Sequence, residues 1–431
     1  MVVTILYILL IFWIIQKWKF FKIEGIRKID FHLAFVVKLF AAISLYYIYT
    51  EFYRDRHLAD IFKFYDDSKV ISDAFYTKPK DFFTLILGLD FNEKYFEMNY
   101  YINMNHWETS YKTVLMNESR LIIKLNALFN VVGFNHYSFN VISFLMIGYI
   151  GIIMIIKSLL SLIKIRSSRV LLWSIILFPS IVLWTSGILK EPITFLSIGM
   201  IIYGFQSFIN RIHITRSIIL TLAGSYLLFM VKFYVFVCFF PSFIVLLIIL
   251  KWGFNPIKTI YISCIIILIL IISFSYIFSD YSPIGLLSRK QNDFIGLAEF
   301  YNSGSYFSIY KMENNISSFL KSIPTGFFNG FFRPLPNNIT KAIHFLPMIE
   351  NLFLYIFGFM LLSKSRKLNL KLNSVNKNII YCSLFFCLLL FTLIGMSTPV
   401  IGALVRYKIP GFIFIIISLN IIYDHIQIQK K

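Results

Sequence analysis

The stretch SFNVISFLMIGYIGIIMIIKSLLSLI at 138–163, followed at once by KIRSSR at 164–169, decides the fold. A single charge, Lys157, interrupts an apolar run long enough to cross a hydrocarbon layer, which takes about 20 residues rising 1.5 Å each. The run gives way abruptly to Lys164, Arg166 and Arg169 with no acid among them. Outward from it, further apolar runs lie at 2–16, 31–50, 170–186, 193–209, 217–231, 235–250, 259–279, 350–363, 378–398 and 409–423. The 431 residues are 58% hydrophobic and only 14% charged, where a soluble domain carries about a quarter. The sequence therefore describes an all-α polytopic membrane protein with about 11 transmembrane helices. A cytosolic enzyme, a secreted domain and a disordered tail are excluded.

The cations orient these spans. The connections 17–30, 164–169, 210–216, 251–258, 364–377 and the tail 424–431 are rich in Lys and Arg, with Glu24, Asp30 and Asp424 as their acids. The positive-inside rule makes them cytoplasmic. Odd and even spans then alternate consistently, with the N-terminus outside and the C-terminus inside, and 51–137, 187–192, 232–234, 280–349 and 399–408 share the outer face. The chain reads as two N-terminal spans (1–50), a first outer loop (51–137), six spans (138–279), a second large outer loop (280–349) and three C-terminal spans with a tail (350–431). The formal charge of +20 is accounted for by loops held at the cytoplasmic surface and points to membrane lipids, not nucleic acid. Cys238, Cys264, Cys382 and Cys387 all fall in apolar runs and form no metal or redox motif. The run 2–16 lacks a basic segment before it and a small-residue cleavage site after it, and is expected to be a retained helix.

The first outer loop holds twelve of the 21 acids: Glu51, Asp55, Asp60, Asp66, Asp67, Asp73, Asp81, Asp90, Glu93, Glu97, Glu108 and Glu118. Within it 79–90 is apolar but too short to span, and Leu121, Leu125, Leu128 and Val132 recur at helical spacing. Helices lying in the interface plane are expected at both places, with a small extramembrane core as the alternative for 79–90. No nucleotide-binding or hydrolase motif is present. Asp60 and Asp67, seven residues apart, share a helix face, and with Asp66 they offer oxygen ligands for a divalent cation. His57 stands three residues before Asp60. Lys190 and Glu191 sit at a short outer turn before Pro192, and Arg289, Lys290, Arg333, Arg406 and Tyr407 lie on later outer segments. Cations converging on one face would suit a phosphate or pyrophosphate head group.

The outer Asp motif, the FPSIVLWTSGILKEPITF turn (178–195), the large late outer loop and the closing RYKIPGFIFII (406–416) resemble the polytopic glycosyltransferase C superfamily. The likeness is strongest to the branch with protein O-mannosyltransferases and lipid A aminoarabinose transferases, and it covers most of 31–420. It implies that Asp60, or its rivals Asp66 and Asp67, is the general base. Glu191 takes the second acidic position of that pattern, and Arg406 with Tyr407 the closing motif. A helix precedes the usual first one, and Ile61 stands where a second acid is common.

The resulting expectation is an enzyme of the cytoplasmic membrane that moves a sugar from a polyprenyl-phosphate donor to a glycan, lipid or protein acceptor on the outer face, inverting the anomeric carbon. Asp60, Asp66 or Asp67 would take the acceptor proton. Lys190, Arg289, Arg333 and Arg406 would offset charge on the departing phosphate. The alternative is a Wzy-type polysaccharide polymerase or O-antigen ligase, in which outer-loop arginines carry the weight. The third reading is a lipid-linked sugar transporter, for which the placement of Lys38 inside the second span is diagnostic.

Overall fold

The computed structural model describes residues 2–52, 56, 59–89, 93–107, 118–163, 165, 167–278, 282–339, 344–370 and 372–429. His57 and the acids Asp55, Asp90 and Glu108 lie outside the described residues. The elements are α1 (Val2–Lys17), α2 (Lys28–Phe52), α3 (Asp60–Thr77), α4 (Pro79–Leu87), α5 (Glu93–Asn99), α6 (Glu118–Gly133), α7 (Tyr137–Leu162), α8 (Ser168–Ile176), α9 (Pro179–Trp184), α10 (Lys190–Ile209), α11 (Ile214–Val231), α12 (Phe233–Trp252), α13 (Pro256–Ile277), α14 (Pro283–Phe300), α15 (Ile316–Phe332), α16 (Phe345–Lys367), α17 (Ser374–Ser397) and α18 (Ile401–Gln429). Among the described residues the only β-pairing is an isolated antiparallel bridge, Tyr306 to Val400.

Among the described residues, nine helices are long and apolar enough to cross a membrane: α2, α7, α10, α11, α12, α13, α16, α17 and α18. Two expected spans differ. The first is the 16-residue α1, about 24 Å long and short of a hydrocarbon core of about 30 Å. The run 170–186 is not one helix but α8 and α9, broken at Leu177–Phe178. Pro179 has no N–H to donate and disfavours helical geometry in the residue before it, so a helix ends there and a new one starts on the proline.

The chain forms two compact units, residues 1–177 with 181–233, and residues 178–180 with 234–431. In the first, α3, α4, α5 and α6 build a helical cap with its own core. Phe64, Tyr65, Ile71, Phe82, Leu85, Phe96, Trp107, Ile122 and Ile123 are buried together with Phe144, Ile188, Ile193 and Val231 from the longer helices and their turns. The segment 79–90 thus contributes α4 to an ordinary core. On α6 Leu121 and Leu125 pack against this core while Leu128 and Val132 are exposed. Buried Asn126 and Asn130 also turn inward. Asn130 donates to Ser68 on α3 at 2.9 Å, and Asn140 on α7 donates to Asn130 at 2.8 Å and to Asn126 at 3.0 Å. Buried amides must find partners, and this network fixes the rotation of α6.

In the second unit α15 lies across α17 at a glycine seam. A Cβ on Gly330 would sit 1.8 Å from the Phe391 carbonyl oxygen, and one on Gly395 would sit 2.0 Å from that of Gly326. No other residue permits backbones this close.

Segments that the charge alternation assigns to one side are found together. Arg169 pairs with Asp30 at 2.9 Å, joining 164–169 to 17–30. Lys190 pairs with Glu118, and Lys232 with Glu191, joining three outer segments. In the other unit the Phe307 N–H donates to the Pro399 carbonyl and the Ile401 N–H to the Ser305 carbonyl, joining 280–349 to 399–408. Asn376 lies 3.3 Å from His425, joining 364–377 to the tail.

Candidate functional site

The three aspartates of α3 do not meet. Asp60, in the first turn of the helix, pairs with Lys63 at 2.6 Å. Asp66 is gripped by Arg56 through Nε at 2.7 Å and Nη2 at 2.8 Å, a two-point fork that raises the arginine's pKa. Asp67 is 2% exposed and turned inward. Its Oδ1 accepts the Asn105 N–H at 3.0 Å and its Oδ2 the His106 N–H at 2.7 Å, so it pins the 104–107 segment onto α3. Burial pushes this carboxyl above the usual carboxylate range, opposed by the two N–H donors. Among the described residues no three His, Cys, Asp or Glu side chains gather as a metal site. Asp60, Asp66 and Asp67 thus turn to three different partners.

At the α9–α10 turn Lys190 and Glu191 take separate partners. Lys190 pairs with Glu118 at the start of α6, 2.8 Å away, and its ammonium faces the Phe64 ring at 5.9 Å. Glu191 is fully buried, and its partner is Lys232, 2.7 Å away and equally buried. Lys232 was not singled out as a site residue. Its one signal was a lone cation between two apolar runs, in FMVKFYVF (229–236). Lys38 is fully buried and donates to the Thr185 hydroxyl at 2.6 Å and carbonyl at 3.1 Å, just past the end of α9. Lys157 reaches the Phe20 carbonyl at 3.2 Å.

The later cations separate into groups. Arg289 and Lys290 are exposed on α14. Lys290 lies 5.2 Å over the Phe294 ring, which meets Tyr407, and Tyr407 in turn meets Tyr234. Arg406 is half-buried beside it. Arg333 closes α15, and it is here that the second unit concentrates charge. Its Nε donates to Asn329 at 2.9 Å, its Nη1 to Asn338 at 2.7 Å, and its guanidinium lies 4.1 Å over the Phe307 ring. Its own carbonyl accepts from Lys408 at 2.6 Å and from Asn351 at 2.9 Å. Lys408 is 1% exposed and also faces the Phe331 carbonyl. An ammonium is well placed there, because it meets the carbonyl end of a helix dipole. Among the described residues neither Arg333 nor Lys408 has a carboxylate within salt-bridge distance.

Three helices measure the depth of this pair. Asn351 is six residues into α16, Lys408 is seven into α18, and Phe391, which packs on Phe331, is six short of the end of α17. At 1.5 Å per residue the Lys408 ammonium and the Arg333 carbonyl that it meets lie about 10 Å inward from those helix ends. Among the described residues the two cations meet only neutral oxygens and aromatic rings, an electropositive recess, and three of the five guanidinium N–H groups are not used by the two amides. Nearby, Glu350 is buried and directed elsewhere. It accepts the Ser180 backbone N–H at 2.6 Å and the Ser180 hydroxyl, capping the new helix that begins at Pro179.

No protein-family model, curated protein or solved structure matches this chain.

Proposed function

We propose that the chain is a membrane-embedded glycosyltransferase of the cytoplasmic membrane. It takes a sugar from a polyprenyl-phosphate donor and passes it to an acceptor at the outer face. The observation that carries this reading is the Arg333–Lys408 pair, two cations that among the described residues have no carboxylate within salt-bridge distance, the Lys408 ammonium about 10 Å inward. A buried charge is expensive unless paired, so such a recess calls for an anion. A phosphate on a lipid reaches it from the side, and the remaining guanidinium donors match a phosphate's oxygens. When the bond between the anomeric carbon and the phosphate oxygen breaks, the phosphate keeps the electron pair and gains a unit of negative charge. Arg333 would hold those oxygens, and Lys408 would add its field from behind the helix end. The acceptor hydroxyl would lose its proton to a carboxylate as the new bond forms, the role that the sequence resemblance gives to Asp60, Asp66 or Asp67.

The Wzy-type polymerase or ligase reading is favoured by one observation. Each of the three aspartates already holds a cation or backbone N–H groups, while among the described residues neither Arg333 nor Lys408 has a carboxylate within salt-bridge distance.

The test is binding of radiolabelled polyprenyl phosphate to the purified chain in nanodiscs, beside sugar turnover in membranes. Arg333→Gln and Lys408→Met should each weaken lipid binding at least about ten-fold, with Arg289→Gln unchanged; one lost charge-assisted contact corresponds to about 1.5–3 kcal/mol. Unchanged binding in both recess variants would remove the basis of the proposal. Turnover that survives in Asp60→Asn, Asp66→Asn and Asp67→Asn but fails in Arg333→Gln would move the polymerase or ligase reading ahead.

A further inference from the structure

We infer that the cleft beside Arg333, walled by Ser308, Tyr310, Pro324, Thr325, Phe328 and Asn329, is a subsite for a neutral pyranose ring. Its volume is about 300 Å³, at the lower limit of the roughly 300–1,000 Å³ typical of ligand pockets and suited to one or two sugar rings. No carboxylate or cation lines it, which disfavours an anionic sugar such as a uronic acid. Two aromatic residues line it, Phe328 and Tyr310, which are 46% and 39% exposed overall. Beside them are the hydroxyls of Ser308 and Thr325, and the buried Asn329 amide, already engaged by Arg333 and the Gly395 carbonyl, backs the wall. Flat apolar rings beside short polar groups match a pyranose, whose C–H faces pack on aromatics while its edges hydrogen-bond.

The walls are set before any ligand arrives. On one side the 305–310 segment is tied to 399–401 by the Phe307 and Ile401 backbone bonds. Gln291 holds the Tyr310 carbonyl at 3.0 Å and accepts the Met312 N–H at 2.7 Å. On the other side Thr325, Asn329 and Arg333 are spaced four apart on α15, one face over two turns. Pro324 within that helix removes the bond that would tie its own position to the Leu320 carbonyl. Asn329 belongs to both places, since it lines the cleft and its Oδ1 accepts the Arg333 Nε–H. A sugar in the cleft is thereby one helical turn from the cationic recess, the order that a sugar phosphate needs.

This subsite rests on the glycosyl-transfer reading for its ligand class, but its test needs no lipid and no turnover. Saturation-transfer NMR on the full chain in nanodiscs would use methyl β-glucoside, methyl β-galactoside, methyl α-mannoside and N-acetylglucosamine as probes, with glucuronate as the charged comparison. At least one neutral probe should receive transfer at its ring protons, falling about five-fold in Phe328→Ala, the worth of one aromatic contact. Ser308→Trp, on the loop wall and outside any helix, should block the cleft to the same degree and stands as a second variant if Phe328→Ala loses the fold. No transfer to any neutral probe, equal transfer in the variants, or stronger transfer to glucuronate would overturn the subsite. Lipid-phosphate binding that is lost in Arg333→Gln while the neutral sugars give no signal would refute the subsite alone. A sugar signal with unchanged lipid binding in the recess variants would refute the transferase reading alone.

Discussion

The buried Glu191–Lys232 pair offers the sharpest test of how the first unit is held together. At 2.7 Å and an effective dielectric constant of about 20, the attraction is about 6 kcal/mol. Taking both ions out of water costs several kcal/mol each, so the net contribution of the intact pair is near zero. Removing one partner is another matter, because the survivor stays buried without the charge it was paired with. Glu191→Leu and Lys232→Met should each destabilise by about 3–5 kcal/mol, which multiplies the unfolding equilibrium constant by roughly 10² to 10³ or more. The double variant, with two apolar side chains of similar size, should recover most of that loss and fall within about 2 kcal/mol of the wild type. The assay is a double-mutant cycle by chemical unfolding in mild detergent, followed by tryptophan fluorescence. A coupling energy above about 2 kcal/mol is expected for groups in direct contact. If each single variant loses less than about 1 kcal/mol, or if the two losses simply add, the pair does not bear on the packing of α10 against the turn at Lys232.

Four further outcomes follow from the same coordinates. Gly330→Ala places a methyl 1.8 Å from the Phe391 carbonyl oxygen and should cost about 1–3 kcal/mol or more as α15 is pushed off α17, read as a lower melting temperature. Asp67→Asn keeps one acceptor but turns an amide N–H₂ against a backbone N–H, for about 1–3 kcal/mol. The Asp67 carboxyl titrates higher in the folded chain than in the unfolded one, so the folded state binds the extra proton. The wild type should lose stability as pH rises from the ordinary carboxylate range through that raised pKa, and Asp67→Asn should flatten this slope, seen in melting curves taken upward from the ordinary carboxylate range. Lys38→Met replaces a buried ammonium held only by Thr185, and should leave stability unchanged or raised by about 1 kcal/mol, since the hydrogen bonds do not repay desolvation; a large drop in melting temperature would contradict this. With the four cysteines replaced, single cysteines at Asp73 and Glu299 should react with a membrane-impermeant thiol reagent in intact cells, and those at Arg211 and Asn369 only after lysis; the reverse pattern would invert the topology.

Much of this architecture was legible because its causes are local. Hydropathy over about 20 residues selects a span, and the cations beside each span set its side, so the partner segments found at Asp30–Arg169 and Ser305–Ile401 could be anticipated. The break at Pro179 was also written in the sequence, as a proline within an apolar run, but length alone counted the run as one helix. On α6 the helical spacing of Leu121, Leu125, Leu128 and Val132 was correct. Periodicity identifies a stripe without saying what it meets, and here Leu121 and Leu125 pack on the core, Leu128 and Val132 stay exposed, and Asn126, Asn130 and Asn140 form a buried amide network.

The site divides in the same way. Composition and charge order alone determined a polytopic helical protein with acids and cations gathered on one set of loops. Asp60, Asp66 and Asp67 were correctly placed on a single helix. Only the tertiary structure decided their partners: Lys63, Arg56 and the backbone at 105–106. It also decided that Glu191 meets Lys232 across 41 positions and that Lys408 meets Arg333 across 75. The physical reason is that a charge carries its sign in the sequence but not its energy. Whether it is a surface ion, one half of a buried pair or an unmatched cation in a recess depends on what distant segments bring within about 3 Å and on how much water they leave behind.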